Sequence, residues 1–156
     1  MFKRFIDQVS QAIAKPSETN GAGPERAGAL RLSTAVLMVE VARADHDYGE
    51  EEFDRLLRLL ERHFRFSAQE ASELANQAGD TAEDAVSLHD FTQLLHDNLS
   101  EDEKADIVGL LWKVAYADGR LHRYEDSLIL KISDLLHVNR ARVMRLKHDA
   151  QQSMPH

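Results

Sequence analysis

The chain has 156 residues, of which 43% are hydrophobic, so it can bury the core of one compact domain. Acidic residues (27) outnumber basic ones (19), and the net charge of −8 argues against nucleic acid as the main partner, because phosphate binding needs a basic surface. The absence of cysteine excludes disulfides, thiolate chemistry and zinc-finger sites, and no apolar run reaches the roughly 18 residues that span a bilayer. A cytoplasmic location is expected.

The first fourteen residues have the pattern of a short amphipathic helix. Five apolar residues fall on one face at helical spacing, namely Phe2, Phe5, Ile6, Val9 and Ile13. Three roles compete for residues 1–14: packing on the same domain, docking on another protein or a second copy of the chain, and peripheral contact with the inner membrane surface. Residues 15–26 are rich in proline, glycine and polar side chains, which predicts a flexible linker.

The first helical unit is predicted at residues 28–78. Its opening helix covers 27–44, where Ser33 and Glu40 share a polar face that should be exposed. A turn rich in acidic residues leads to a second helix. Ser67 then starts a capping-box pattern, which opens a third helix that should end near the close of the unit.

A bridging helix is predicted at residues 88–98, followed by a second helical unit at 101–151. Ser100 and Glu103 form another capping-box pattern at the start of this unit. Together the two units and the bridging helix make one helical domain at 27–151.

The two units share a sequence motif at an offset of 73 residues. Residues 37–52 read LMVEVARADHDYGEEE and residues 110–125 read LLWKVAYADGRLHRYE. The identical pairs that define the motif are Val41 with Val114, Ala42 with Ala115, Ala44 with Ala117, Asp45 with Asp118 and Glu52 with Glu125. Such a match at fixed spacing indicates two copies of one unit. The predicted fold is therefore all-α, a compact bundle of about seven helices built from two pseudo-symmetric helical repeats, plus the N-terminal amphipathic helix.

The shared motif concentrates carboxylates at a turn between two helices. An Asp at the end of one helix and a Glu in the first turn of the next bring two carboxylates together. Hard cations such as Ca²⁺ or Mg²⁺ prefer oxygen ligands, so the candidate metal ligands are Asp45, Asp47, Glu52, Asp118 and Glu125. In the second copy Arg120 takes the place of Asp47. The competing interpretation is structural, since a Glu in the first turn favours the helix dipole and an Asp can hold a turn through backbone N–H groups.

The twice-used pattern A-x-A-D-(G/H)-x-x-x-x-x-E resembles the TerB-like family, which includes the tellurite-resistance protein TerB, over about residues 28–150. The resemblance implies a bundle of about seven helices with an acidic surface and a divalent-cation site at the acidic turns. The positions so implied are Asp45 and Glu52 in one copy and Asp118 and Glu125 in the other. The chain departs from the pattern at His46.

No phosphate-binding glycine loop, nucleophile elbow or metalloprotease motif is present, so an enzyme is not expected. We expect a non-catalytic interaction or scaffold module that binds other proteins. The resemblance implies a link to bacterial tellurite or envelope stress response. The alternative is a metal-responsive protein that binds a divalent cation, Ca²⁺ or Mg²⁺, at the acidic turns and needs no other cofactor. Both a monomer and a homodimer are compatible with the sequence.

Overall fold

The computed structural model is all-α, as predicted. The structure describes residues 22–44, 50–84, 88–117, 121 and 123–152, with side chains for all of these except 22–27, 29, 52 and 81–84. The described residues form seven helices, which are α1 (Ala22–Ala42), α2 (Glu50–Phe64), α3 (Ala68–Asp84), α4 (Leu88–Asn98), α5 (Glu101–Ala115), α6 (Arg123–Leu135) and α7 (Arg140–Gln152).

The helices pack around one continuous core with α1 and α5 at its centre. α1 packs on α5, and each has its own partner, α3 against α1 and α7 against α5. The cross-contacts are reciprocal, because α2 touches α5 and α6 touches α1. The bridging helix α4 packs on α1 and α6. Two related halves would make these pairings, although the repeat itself stays a prediction.

The two central helices end in the same way. In each, the last backbone N–H groups donate to carbonyl oxygens four and three residues earlier, at N···O distances of 3.0 and 3.2 Å. These bonds run from Arg43 to Val39 and from Ala44 to Val41 in α1, and from Tyr116 to Trp112 and from Ala117 to Val114 in α5. The chain therefore leaves both helices along equivalent paths, one residue before Asp45 and one residue before Asp118.

The second helix of each half also ends alike, now at an offset of 72 residues. Arg65 and His137 both have positive φ, 57° and 61°, the left-handed conformation that often closes a helix. The residue after each donates its N–H to the carbonyl five residues earlier, at 3.0 Å in both cases. Ser67, as predicted, and Asn139 then cap the next helices.

Two helices extend past predicted boundaries. α1 begins at Ala22, within the range 15–26 where a linker is predicted. Pro24 lies in its first turn, where a residue without an N–H loses no intrahelical bond. The first repeat is predicted to end at residue 78, and α3 continues to Asp84. A glycine inside a helix, here Gly79, costs about 1 kcal/mol relative to alanine, and burial of the alanine stripe of α3 offsets this cost.

The prediction that the polar face of the first helix is exposed is wrong. Side chains from Leu32 to Val39 are all buried, including Ser33, and Glu40 is half-buried. On α5 the equivalent residues behave differently, since Asp106 and Lys113 are exposed. The spacing of residues within a helix does not predict this difference in burial, because it depends on neighbouring helices. α4 packs on α1, whereas no described helix covers α5 in the same way.

Candidate functional site

The structure places the predicted acidic ligands only in part. Asp45, Asp47 and Asp118 lie outside the described residues. Glu52 and Glu125 each occupy the third residue of a helix, in α2 and α6 respectively. A carboxylate at this position interacts favourably with the positive end of the helix dipole and is suited to cap the N-terminus.

Glu125 is the one predicted ligand whose side chain is described, and it is 4% exposed. It takes part in a hydrogen bond or electrostatic interaction. An ionised carboxylate withdrawn from water needs such compensation, from backbone N–H groups, a cationic side chain or a metal ion. Its neighbour Tyr124, by contrast, is 66% exposed.

A polar cluster fixes α6 directly after Glu125. The Lys147 ammonium of α7 lies 2.7 Å from a carboxylate oxygen of Asp126, and both side chains are about three-quarters buried. The same ammonium lies 5.2 Å from the centre of the buried Trp112 ring, within the range of a cation–π interaction. Burial raises the pKa of Tyr116, and Lys147 opposes that shift while Asp126 adds to it. Lys147 of α7 thus joins the first turn of α6 to the C-terminal end of α5.

The first copy lacks this cluster. At the corresponding places it has Phe53, Ala75 and Val39, which pack by apolar contact. This ion pair could not be predicted from local sequence, because its partners are 21 residues apart and no local pattern connects them. The only available signal was comparison of the two copies, in which Asp126 and Lys147 both replace apolar residues. Helices α2 and α6 therefore differ in the packing of their first turns.

The donor set suits a hard cation, since carboxylate oxygens are the ligands that Ca²⁺ and Mg²⁺ prefer. Within the described ranges, no three His, Asp or Glu side chains come close enough together to hold a metal ion. Of the five candidate ligands, only Glu125 has a described side chain.

Comparison with known protein families finds a matching family model. The family model for the tellurite resistance protein TerB matches residues 31–148, which is most of the chain. The chain belongs to the TerB family. No curated protein and no solved structure is similar enough to match it.

This TerB-family chain buries a lysine at the start of α5. The Lys104 side chain is 2% exposed, and its ammonium lies 2.8 Å from a Glu101 carboxylate oxygen. It also lies 2.9 Å from Nδ1 of His96. The His96 ring in turn packs against the ring of His137, with centroids 4.3 Å apart. The hydrogen bond to Lys104 holds the pKa of the Glu101 carboxyl below its usual value.

The TerB-family bundle also has an open cleft of about 510 Å³ between α2, α5 and α7. Apolar atoms of the cleft come from Gly109, Leu110, Leu146 and Ala150, and its polar side chains are His63, Asp106, Lys113 and Asp149. Burial lowers the pKa of His63, Asp106 opposes the shift and Lys113 adds to it. No local sequence pattern predicts this cleft, since three separate helices form it.

The remaining predicted contact residues, Phe2, Phe5, Ile6, Val9 and Ile13, lie outside the described residues. Among the helices that the structure describes, none is both long enough and apolar enough to cross a bilayer.

Proposed function

We propose that the chain is a non-catalytic TerB-family interaction module of the cytoplasm, which binds the basic segment of a partner protein in bacterial tellurite or envelope stress response. The proposal rests on the junction of α4 and α5. Exposed carboxylates crowd this junction, at Asp97, Glu101, Asp102 and Glu103. The single lysine of this stretch, Lys104, is buried, so its charge does not face an approaching partner.

Electrostatics makes this surface suited to protein recognition. Complementary charge raises the association rate and selects against wrong partners, more than it adds affinity. Arg142 offsets part of the negative charge, since its guanidinium lies 2.8 Å from Asp102. Both side chains of that pair are substantially exposed, so the pair contributes little to stability and can be exchanged for a partner's basic group.

Matched charge variants test the proposal. Asp97→Asn with Asp102→Asn removes two negative charges from the junction, and Asp54→Asn with Glu73→Gln removes two from exposed positions of α2 and α3. Partners covalently crosslinked to the full chain in bacterial cells are quantified by mass spectrometry. The junction variant should lose the partner and the control should keep it, with binding that weakens as salt rises. Equal capture of the partner by both variants contradicts the proposal. In bacteria that lack the protein and have lost tellurite tolerance, equal restoration of tolerance by the two variants also contradicts it.

The second candidate is a metal-responsive protein that binds Ca²⁺ or Mg²⁺ through Asp45, Asp47 and Glu52, or through Asp118 and Glu125. The buried carboxylate of Glu125 favours it, because a cation is one way to compensate a charge withdrawn from water. Backbone N–H groups at the helix N-terminus and a cationic side chain are the other ways, and Glu125 already takes part in a hydrogen bond or electrostatic interaction.

Thermal unfolding separates the two candidates. The metal-stripped chain is titrated in turn with Ca²⁺, Mg²⁺, Mn²⁺ and Zn²⁺, beside Asp45→Asn and Asp118→Asn. An ion at 100 times its Kd adds about 2.7 kcal/mol, which raises Tm by several degrees at this chain length. A rise that Asp45→Asn or Asp118→Asn abolishes supports the metal-responsive protein. An unchanged midpoint with every ion, together with lower midpoints in both variants, means that the carboxylates only hold the turns.

A further inference from the structure

The cleft between α2, α5 and α7 lies where the pairing of helices leaves one position unfilled among the described residues. α4 packs on α1 and α6. If the halves are related as the repeat predicts, α1 corresponds to α5 and α6 to α2. A helix equivalent to α4 would then lie on α5 and α2, and apart from the central helix α1 no described helix packs on both.

Burial of the equivalent residues supports this comparison. At the offset of 73 residues, Asp106 and Gly109 of the cleft correspond to Ser33 and Val36 of α1. Ser33 and Val36 are fully buried. Asp106 is exposed and Gly109 is only partly buried. The same face is thus covered on one central helix and open on the other.

The sequence provides a candidate for this position. α4 directly precedes α5, and residues 1–14 similarly precede α1 across a linker. The apolar residues Phe91, Leu94 and Leu95 of α4 have the spacing F-x-x-L-L, and the N-terminal segment repeats it as F-x-x-F-I from Phe2. In α4, Phe91 and Leu95 are fully buried. The N-terminal segment has apolar side chains in the same register.

Charge also matches between the segment and the cleft. Asp106 and Asp149 line the cleft with Lys113, and the segment carries Lys3, Arg4 and Asp7 beside its apolar residues. Opposite charges are therefore available on both sides around an apolar centre.

The linker lets residues 1–14 reach back along the bundle. From residue 14 to Ala22 there are eight Cα–Cα steps, which reach about 26–29 Å at roughly 3.3–3.6 Å each. Helix α1, with 21 residues, is about 31 Å long at 1.5 Å per residue. The segment can therefore return along most of α1.

We propose that residues 1–14 form a helix that docks in the cleft between α2, α5 and α7 of its own chain, where it takes the place that α4 holds on the other half. This closes the cleft and completes the bundle with an eighth helix. The inference concerns a surface different from the α4–α5 junction, so it stands or fails independently of the proposed function.

A spin label on the full chain tests the docking directly. The protein has no cysteine, so Arg62→Cys places a nitroxide at one exposed position, next to His63 of the cleft. Gln93→Cys places it on the exposed side of α4 as a reference. The Arg62 label should remove most of the amide NMR intensity of residues 1–14, and the Gln93 label should remove much less. Phe5→Asp should restore the intensity, whereas Gln11→Asp, with the same new charge on the opposite helical face, should not.

Several outcomes would overturn the proposal. Full intensity of residues 1–14 with the Arg62 label excludes docking in the cleft, and so does equal broadening by both labels. Broadening seen only when label and isotope are on different chains assigns the cleft to a second copy. Signals of residues 1–14 that respond only to phosphatidylglycerol vesicles assign the segment to a membrane surface. Because Phe5→Asp changes no described core residue, its effect does not depend on misfolding of the bundle.

Discussion

Replacing Lys104 reveals what a buried ammonium does in this core. Its side chain is 2% exposed, yet its counter-ion Glu101 is 68% exposed. The chain thus withdraws one charge from water and leaves the other in it. Removing a charge from the interior is often neutral or stabilising when an apolar side chain of similar volume takes its place.

The expected changes in the free energy of unfolding distinguish the contribution of packing from that of charge at Lys104. Lys104→Met keeps an unbranched chain of similar length and removes the desolvated ammonium, so the free energy of unfolding should change by less than about 1 kcal/mol. Lys104→Ala removes three methylene groups at about 0.8 kcal/mol each and leaves a cavity, so it should cost roughly 2–4 kcal/mol. Glu101→Gln keeps the ammonium buried and removes its counter-ion, so it should destabilise the chain as well.

Urea unfolding measures these differences, with the fluorescence of Trp112 as the probe. This residue is the only tryptophan, and it is fully buried. If Lys104→Met destabilises the chain as much as Lys104→Ala does, the ion pair with Glu101 and the contact with His96 stabilise this corner of the fold, and the reasoning from packing is refuted.

Three further predictions concern single side chains. Burial raises the pKa of Glu40, so its stabilising contribution is present at acid pH and lost as pH rises through the folded-state pKa. Glu40→Gln should therefore raise Tm more at neutral than at acid pH. An equal rise at both pH values would count against this. Ser100→Ala removes the capping bond from the Glu103 N–H and should cost about 1 kcal/mol in urea unfolding, as should Ser67→Ala, whose cap has the same two bonds. Gly109→Ala should stabilise the chain by about 0.5–1 kcal/mol, because the added Cβ meets only Leu146 Cδ2, at 3.5 Å; a lower Tm would mean that α5 and α7 pack more tightly than this distance indicates.

The sequence predicts local features of this fold well. The all-α fold is confirmed, and so are the caps at Ser67 and Ser100; α4 covers residues 88–98. Each of these depends on residues within one or two turns of a helix. The repeat motif also leads to the equivalent endings of α1 and α5, because the matching residues lie inside those helices.

Features that depend on distant neighbours were not predictable. Glu40 has the helical position of an exposed residue, but packing around α1 half-buries it. The pair of Asp126 with Lys147 joins two helices, and neither residue stands out within its own helix. Residues of three helices line the cleft, and no pattern within a single helix predicts it. The acidic-turn ligands stay predictions, since Glu125 is the only one whose side chain is described.

The burial of α1 on all sides has a consequence for how the chain acquires its structure. Its residues 32–39 are covered partly by α3 and partly by α4, α5 and α6, which come later in the sequence. A fragment that ends after α3 would leave much of this apolar run in water and would tend to aggregate. During synthesis, the burial of α1 is therefore complete only after α4, α5 and α6 have been made. The unit that folds is therefore larger than one predicted repeat, and the chain should unfold in a single transition rather than in two halves.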